Sequence, residues 1–430
     1  MIAVPEARPT THGPRPMTLR CRHCEAPLRT PVVDLGVHPP CQNVVREEDL
    51  TAPETMYPLR AMVCDACLLV QLDTDVPPAA IFSEQYAYFS SYSTSWLAHA
   101  ERYVGDMVER FGLDADSLVM EIASNDGYLL QYVVERGIPA LGIEPSASVA
   151  AAAREKGVDT RELFFGRDTA AALASEGLQC DLLAANNVLA HTPHLNSFVE
   201  GIRRILKPEG VATIEFPHLL RLIDENQFDT IYHEHYSYFS LLAVERVFAH
   251  FGLVLFDVEE LPSHGGSLRI FARHREHTAL PVTARIDDLK ARERAYGLDD
   301  TSSTGAYAAF AERVKATKRS LLRFLVGANE AGKTVVGYGA PGKGNTLLNY
   351  SGIGPDLVAY TVDRNPHKQG TYLPGSRIPV FEPDRIRETR PDYVLILPWN
   401  LKREIMRQMG DIRHWGGRFV VPIPETEVVE

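Results

Sequence analysis

Leu118-Val119-Met120-Glu121-Ile122-Ala123-Ser124-Asn125-Asp126-Gly127 is the stretch on which the fold turns. An apolar run of strand length ends in small and polar residues and a glycine, and a helical pattern begins at Tyr128. A strand that turns tightly at glycine into a helix start offers backbone N–H groups and a close approach to a ligand. The next apolar run, Ala140-Leu141-Gly142-Ile143, ends in Glu144, eighteen residues after Asp126. An acid at that strand tip can accept both hydroxyls of a ribose. A third run, residues 181–187, again ends in polar side chains. A helix over 195–206, a turn at Lys207-Pro208-Glu209-Gly210 and a strand over 211–216 follow. Alternation of this kind predicts a doubly wound α/β sheet.

Further along, Gly337-Tyr338-Gly339-Ala340-Pro341-Gly342-Lys343-Gly344 places a G-x-G-x-x-G spacing after one apolar run and before a helix, and Asp363 ends the next run, 357–363. Taken alone this fits a nicotinamide dinucleotide loop, and an NAD-linked oxidoreductase is the alternative function it suggests. Lys343 argues for a different ligand, because it adds a phosphate-seeking cation that a dinucleotide loop does not require. A nucleotide-sugar diphosphate suits the loop and the lysine together. The strand through Asp392-Tyr393-Val394-Leu395-Ile396-Leu397 ends in Pro398-Trp399-Asn400, which the switch-point rule aims at the same crevice as Lys343. Residues 284–330 read as a helical bridge between the two sheets.

Cys21-Arg22-His23-Cys24 and Cys64-Asp65-Ala66-Cys67 are two Cys-x-x-Cys knuckles separated by thirty-nine residues. Two such knuckles complete a closed tetrahedral site, so Cys21, Cys24, Cys64 and Cys67 are read as ligands of a structural zinc ion. His23 is expected at the surface and not on the metal, and Cys41 is expected to be packed as a lone free thiol. Residues 1–16 lack the apolar core of a secretion signal and are rich in Pro, Thr and Arg, so residues 1–17 are expected to be a disordered extension.

With 430 residues the chain exceeds one compact core. The boundaries drawn are a zinc-binding domain over 18–78, an α/β domain over 79–315 and a second Rossmann-like domain over 316–430. A net charge of -12 argues against nucleic acid as a partner, since phosphate neutralisation needs clustered Lys and Arg. No apolar stretch reaches membrane-spanning length, so no membrane partner is expected. The expected location is the cytoplasm, and the expected state is a monomer.

Chemistry concentrates in Tyr232-His233-Glu234-His235-Tyr236-Ser237-Tyr238, with two imidazoles, one carboxylate and three phenols in seven positions. Such a run supplies proton acceptors and donors near neutral pH. In a regular strand His233 and His235 would share one face and Glu234 the other, which speaks against a three-ligand metal site.

The order of these parts resembles the sugar C-methyltransferases of deoxysugar biosynthesis. The residues that carry the resemblance are the four cysteines, Glu121 to Gly127, Asn187-Val188-Leu189-Ala190-His191, Tyr232 to Tyr236, His264-Gly265-Gly266-Ser267 and Gly337 to Asn345. The Leu206-Lys207-Pro208-Glu209-Gly210 turn adds a likeness to class I S-adenosylmethionine-dependent methyltransferases, although the first loop lacks their usual Gly-x-Gly. The resemblance implies an α/β fold: a four-cysteine zinc ribbon, a class I methyltransferase core and a smaller Rossmann-like domain. It implies methyl transfer from S-adenosylmethionine to C3 or C5 of a nucleotide-linked, usually dTDP-linked, 4-keto-6-deoxysugar, toward a natural product or a surface glycan.

Removing the proton beside a ketone needs a base and a donor for the enolate oxygen. His235 is the chosen base, with Glu234 orienting it or touching substrate, Tyr232 and His191 on the enolate oxygen, and His233 structural. Tyr86 resembles the family's active-site tyrosine. Carried over to the cofactor are Glu144 for the ribose, Ser124, Asn125 and Gly127 in the first loop, Asn187 near the methionine end and Glu121 toward the amino group. Lys343, Asn345 and the loop from Gly339 are assigned to the substrate diphosphate, and His264 and Gly265 to the sugar. A noncatalytic scaffold is the third class of reading, and it would not need the 232–238 cluster.

Overall fold

Three sheets are stitched together by helices in the computed structural model, which describes residues 19–74, 76 and 89–429. The expected N-terminal extension and Tyr86 lie outside these residues. The first sheet is antiparallel and joins β1 (Thr30–His38), β2 (Tyr57–Val63) and β3 (Val70–Leu72). Its remaining strand is borrowed from the His-rich segment, as described below.

The second sheet contains β4 (Val119–Ile122), β5 (Ala140–Ile143), β6 (Thr160–Arg161), β7 (Cys180–Asn186) and β8 (Leu206–Pro217), all parallel. The short strand β9 (Ser237–Tyr238) leaves this region and pairs antiparallel with β3, closing the first sheet in the order β1-β2-β3-β9. β10 (Leu253–Leu261) and β11 (Ser267–His274) complete the second sheet in the order β10-β11-β8-β7-β4-β5-β6, with β11 antiparallel to both neighbours. Every residue of β4 is buried, as a parallel strand covered on both faces requires. The helix Thr94–Phe111 covers one face with Ala100, Tyr103, Val104 and Met107, the i, i+3, i+4, i+7 stripe of an amphipathic helix. It starts where the Ser93 hydroxyl accepts the Trp96 N–H and stops at left-handed Gly112.

The third sheet contains β12 (Val335–Tyr338), β13 (Thr361–Val362), β14 (Val380–Phe381), β15 (Tyr393–Ile396), β16 (Arg418–Val421) and β17 (Glu427–Val429), with only β17 antiparallel. The expected helical bridge is present as Ala284–Tyr296 and Ala306–Glu330. The longer helix buries Tyr307, Phe310, Val314, Leu321 and Leu325 in a cluster that also holds Val33 and Leu59 of the first sheet and Leu395 of the third. Each such side chain contributes about 1.5–3 kcal/mol by burial, so this helix is the clamp between the two ends of the chain.

Three local expectations are corrected. Lys207-Pro208-Glu209-Gly210 is no separate turn but a bulge inside β8: Leu206 pairs with Cys180 and Val211 with Leu182. The strand expected over 357–363 shrinks to Thr361–Val362, because the Leu357 and Val358 N–H groups close a turn on the Gly354 carbonyl. His23 is buried, its Nδ1 bonded to Asn196 Oδ1 at 2.8 Å.

Candidate active site

In the second sheet the chain leaves β4 toward β5 on one side and returns to β7 on the other, so a crevice opens beyond the ends of β4 and β7. The loop after β4 has positive φ at Ala123, Asn125 and Gly127, a tight turn closed by the Gly127 N–H on the Ser124 carbonyl at 3.1 Å. Glu144, at the tip of β5, accepts the Asn125 N–H at 3.1 Å and the Ser146 N–H at 2.8 Å. Below it, Glu121 is fully buried and neither of its oxygens closes a hydrogen bond. Burial pushes its carboxyl well above the usual range, against the opposing pull of the Tyr128 phenol and with the charges of Glu144 and Asp126 adding to the rise. Asn186 Oδ1, Asn187 Oδ1 and Asp126 Oδ1 are further buried acceptors without partners. Asp126 holds Lys156 through its other oxygen at 2.9 Å. This acceptor set fits a ligand with an ammonium group and vicinal hydroxyls, because native proteins seldom leave so many buried acceptors unmet.

Two expected cofactor side chains point elsewhere. Ser124 turns its hydroxyl under the sheet, filling the space where Gly142 lacks a side chain. The Asn125 amide oxygen accepts the Ser90 N–H at 2.8 Å and so anchors the segment before the helix Thr94–Phe111. Both act on the loop's shape.

Residues 232–235 form a turn and not a regular strand, closed by the His235 N–H on the Tyr232 carbonyl at 2.9 Å, so the shared face that a strand would impose on His233 and His235 is absent. Each side chain takes its own direction. His233 bonds the Pro58 carbonyl at 3.1 Å and packs edge-on against Tyr57, which is the structural part assigned to it. Glu234 receives the Cys41 thiol at 3.4 Å and does not reach His235. Burial raises its carboxyl to about 7, against the opposing pull of the Cys41 bond and the charge of Lys368. His235 lies 4.1 Å from the Tyr232 ring and 4.7 Å from the His191 ring, centroid to centroid. Its Nδ1–H donates to the Thr230 carbonyl at 2.9 Å, which leaves the lone pair on Nε2. Burial holds His235 well below the usual imidazole range, helped by His191, His264 and Lys343. His191 is pushed down to about 4 for the same main reason.

The roof of this crevice is the turn joining β10 to β11. His264, Gly265 and Gly266 all have positive φ, and an added Cβ on Gly265 would meet Trp399 at 2.9 Å and Gln227 at 3.0 Å. Only glycine tolerates that approach, so the turn's conformation is fixed by packing. His264 is solvent-accessible and meets the edge of Trp96 at 5.3 Å. Trp96 in turn stacks on His99 at 4.8 Å and on Tyr128 at 5.8 Å, linking this crevice to that of Glu121.

From the third sheet, Lys343 bonds Asn400 Oδ1 at 3.0 Å and lies 4.6 Å over the Trp399 ring, as the switch-point argument expected. Its charge reaches His235, His264 and Asp229. Asn345 is buried with its Oδ1 unpartnered. Gly339 serves close packing, since a Cβ there would lie 2.6 Å from Pro398.

The four knuckle sulfurs lie within 4.8 Å of one another, with Cys21–Cys67 and Cys24–Cys64 each at 3.5 Å. That is far beyond a disulfide bond and close to the ~3.8 Å edge of a tetrahedron with 2.3 Å Zn–S bonds. Gln71 donates to Cys21 Sγ at 3.1 Å. Sequence reasoning missed Trp96, Tyr128, Asn186, Asp229 and the His99–Glu215–Arg269 group, in which Glu215 is held low by His99 and Arg269 despite its burial. None lies in a motif; only their position at strand ends, visible for Asn186, pointed to them.

The chain matches family models for a zinc binding domain (21–82), a methyltransferase domain (96–258) and a C-methyltransferase C-terminal domain (262–424). It is 36% identical over 411 residues to C-methyltransferase NovU of Streptomyces niveus, covering 95% of this chain and 96% of that one. The chain therefore belongs to this family of zinc-containing C-methyltransferases, and it is an S-adenosylmethionine-dependent enzyme with a class I core. Similar solved structures include an S-adenosylmethionine-dependent methyltransferase from Anabaena variabilis (16% identical, TM-score 0.35, 42% of this chain and 87% of that one). Another is magnesium protoporphyrin IX methyltransferase from Synechocystis with bound S-adenosylhomocysteine (14%, TM-score 0.33, 41% and 82%). The oxidoreductase alternative is set aside. Among the described residues no helix is long and apolar enough to cross a membrane.

Proposed function

We propose that the enzyme methylates a ring carbon beside the ketone, C3 or C5, of a nucleotide-linked 4-keto-6-deoxysugar, with dTDP as the nucleotide, acting as a cytoplasmic monomer. The observation that carries this reading is His235: a buried imidazole whose Nδ1–H is committed to the Thr230 carbonyl and whose Nε2 is unprotonated at neutral pH. Bound S-adenosylmethionine supplies the electrophilic methyl group. Nε2 takes the α-proton; Tyr232 and His191, the two rings against His235, donate to the enolate oxygen. Tyr86 is a further catalytic candidate from the family resemblance. Glu234 holds the sugar, and its raised carboxyl lets it donate as well as accept. His264 and Gly265 roof the sugar, and Lys343, with Asn345 on the same helix, receives the diphosphate. Glu121, Asn187, Glu144 and the loop at Asn125 and Gly127 hold the cofactor. The name of NovU, a C-methyltransferase, supports carbon as the acceptor atom.

Incubation with dTDP-4-keto-6-deoxysugars, methyl-labelled cofactor and deuterated solvent tests this reading by NMR of the product. A labelled methyl on a ring carbon is expected, with deuterium entering the same carbon in the absence of methyl donor. Absence of both would remove the proposed substrate class.

A further inference from the structure

Asp229 is fully buried and belongs to no motif of the chain. One carboxylate oxygen accepts the Trp399 Nε1–H at 2.7 Å, and the backbone N–H groups of Asp229 and Thr230 face the carboxylate. The indole it holds is the one that Lys343 covers at 4.6 Å, so carboxylate and ammonium grip the edge and the face of a single ring. The far edge of that ring packs against Gly265, and Gln227 bonds the Gly265 carbonyl at 2.7 Å. The short turn Phe228–Thr230 thus carries both Asp229 and Thr230, whose carbonyl orients His235. Thr346, on the helix that begins at Gly342, bonds the Ile231 carbonyl at 3.1 Å and fixes that helix on the same turn.

We propose that Asp229 is a positioning residue that, by its charge and through its bond to Trp399, holds Lys343 as a fixed cation beside the His235 crevice, where it receives the substrate's phosphates. The inference rests on the nucleotide-sugar reading given above. A lysine on a flexible stem in a partly desolvated place needs a counter-charge to stay protonated and aimed. Among the described residues, the charged or titratable groups that face it are Asp229, His235 and His264; both histidines depress it if they protonate, and Asp229 supports it. Burial lowers the Lys343 ammonium from its usual range, and the Asp229 charge opposes that fall.

The test uses the full-length zinc enzyme and thymidine diphosphate as the probe, by calorimetry at about pH 7 and about pH 9, with S-adenosylhomocysteine affinity as the control. Lys343→Met should weaken thymidine diphosphate by about tenfold or more, and Asp229→Asn, which keeps an acceptor for Trp399, by about tenfold at the lower pH. The Asp229→Asn loss should grow at the higher pH, because the unsupported ammonium gives up its proton earlier. In the Lys343→Met background Asp229→Asn should add less than about twofold. Trp399→Phe, which keeps a ring and removes the N–H, gives a milder version of the same loss. Wild-type-like binding by Asp229→Asn, an equal loss in the Lys343→Met background, or a parallel loss of S-adenosylhomocysteine would overturn the inference. A wild-type enzyme that ignores thymidine diphosphate would instead overturn the nucleotide-sugar reading.

Discussion

The loop after β4 and the loop after β12 are built alike and present different surfaces. In each, an acid at the tip of the next strand accepts backbone N–H groups. Glu144 takes those of Asn125 and Ser146, and Asp363 takes those of Ala340 at 2.7 Å and Asn365 at 2.8 Å. The first loop opens on buried acceptors with unmet capacity, Glu121 foremost. The second is closed over: Lys368 donates to the Ala340 carbonyl at 2.7 Å, and Cys41 Sγ lies 2.8 Å from where Gly342 would carry a Cβ. What remains open there is its Lys343 side, turned toward the histidines. Motif spacing therefore reports a backbone shape, and the neighbours decide whether a ligand can use it.

The comparison can be broken in several ways. The largest effect is expected where the reacting crevice is attacked directly: His235→Asn should lower kcat by about 10²–10⁴-fold while S-adenosylhomocysteine binds as before. Equal activity in that variant would move the base elsewhere. Next comes Glu144→Ala, which should weaken S-adenosylhomocysteine by about 10–100-fold in a binding titration, since it removes the acid at the open loop.

The pH profile of kcat/KM gives a smaller, diagnostic effect. His235 acts unprotonated and its lowered range keeps it so down to below pH ~6.5, so His235 itself adds no acid limb above that value. A limb that does appear near the Glu234 value of about 7 should vanish in Glu234→Gln. The smallest effect is predicted for Asp363→Ala: S-adenosylhomocysteine affinity within about twofold of wild type, and a loss of stability of about 1–2 kcal/mol as two backbone N–H groups lose their acceptor. A large loss of cofactor affinity there would mean the two loops were assigned the wrong way round.

Much of this was legible beforehand. The Cys-x-x-Cys pairs announce a metal knuckle because four sulfurs at that spacing have few other uses, and the strand-acid rhythm around Glu121 and Glu144 announces the core. The His-rich run was visible as chemistry, but its directions were not: alternation predicted one face for His233 and His235, and the Tyr232–His235 turn sends them apart. Ser124 was misread for a similar reason, since a side chain's direction at a strand end depends on the neighbour it meets, here Gly142.

By itself, the sequence determined which groups are present and the period in which strands and helices carry them, because hydrophobic spacing and cysteine spacing are local properties. Tertiary structure alone decided that the metal-bearing end of the chain lies under Glu234 through Cys41, that β9 joins the first sheet, and that Asp229, Trp399 and Lys343 meet. Those contacts join residues as far as 193 positions apart, and no local pattern encodes them. They exist because burying the three apolar faces against one another outweighs the entropy of closing such long loops.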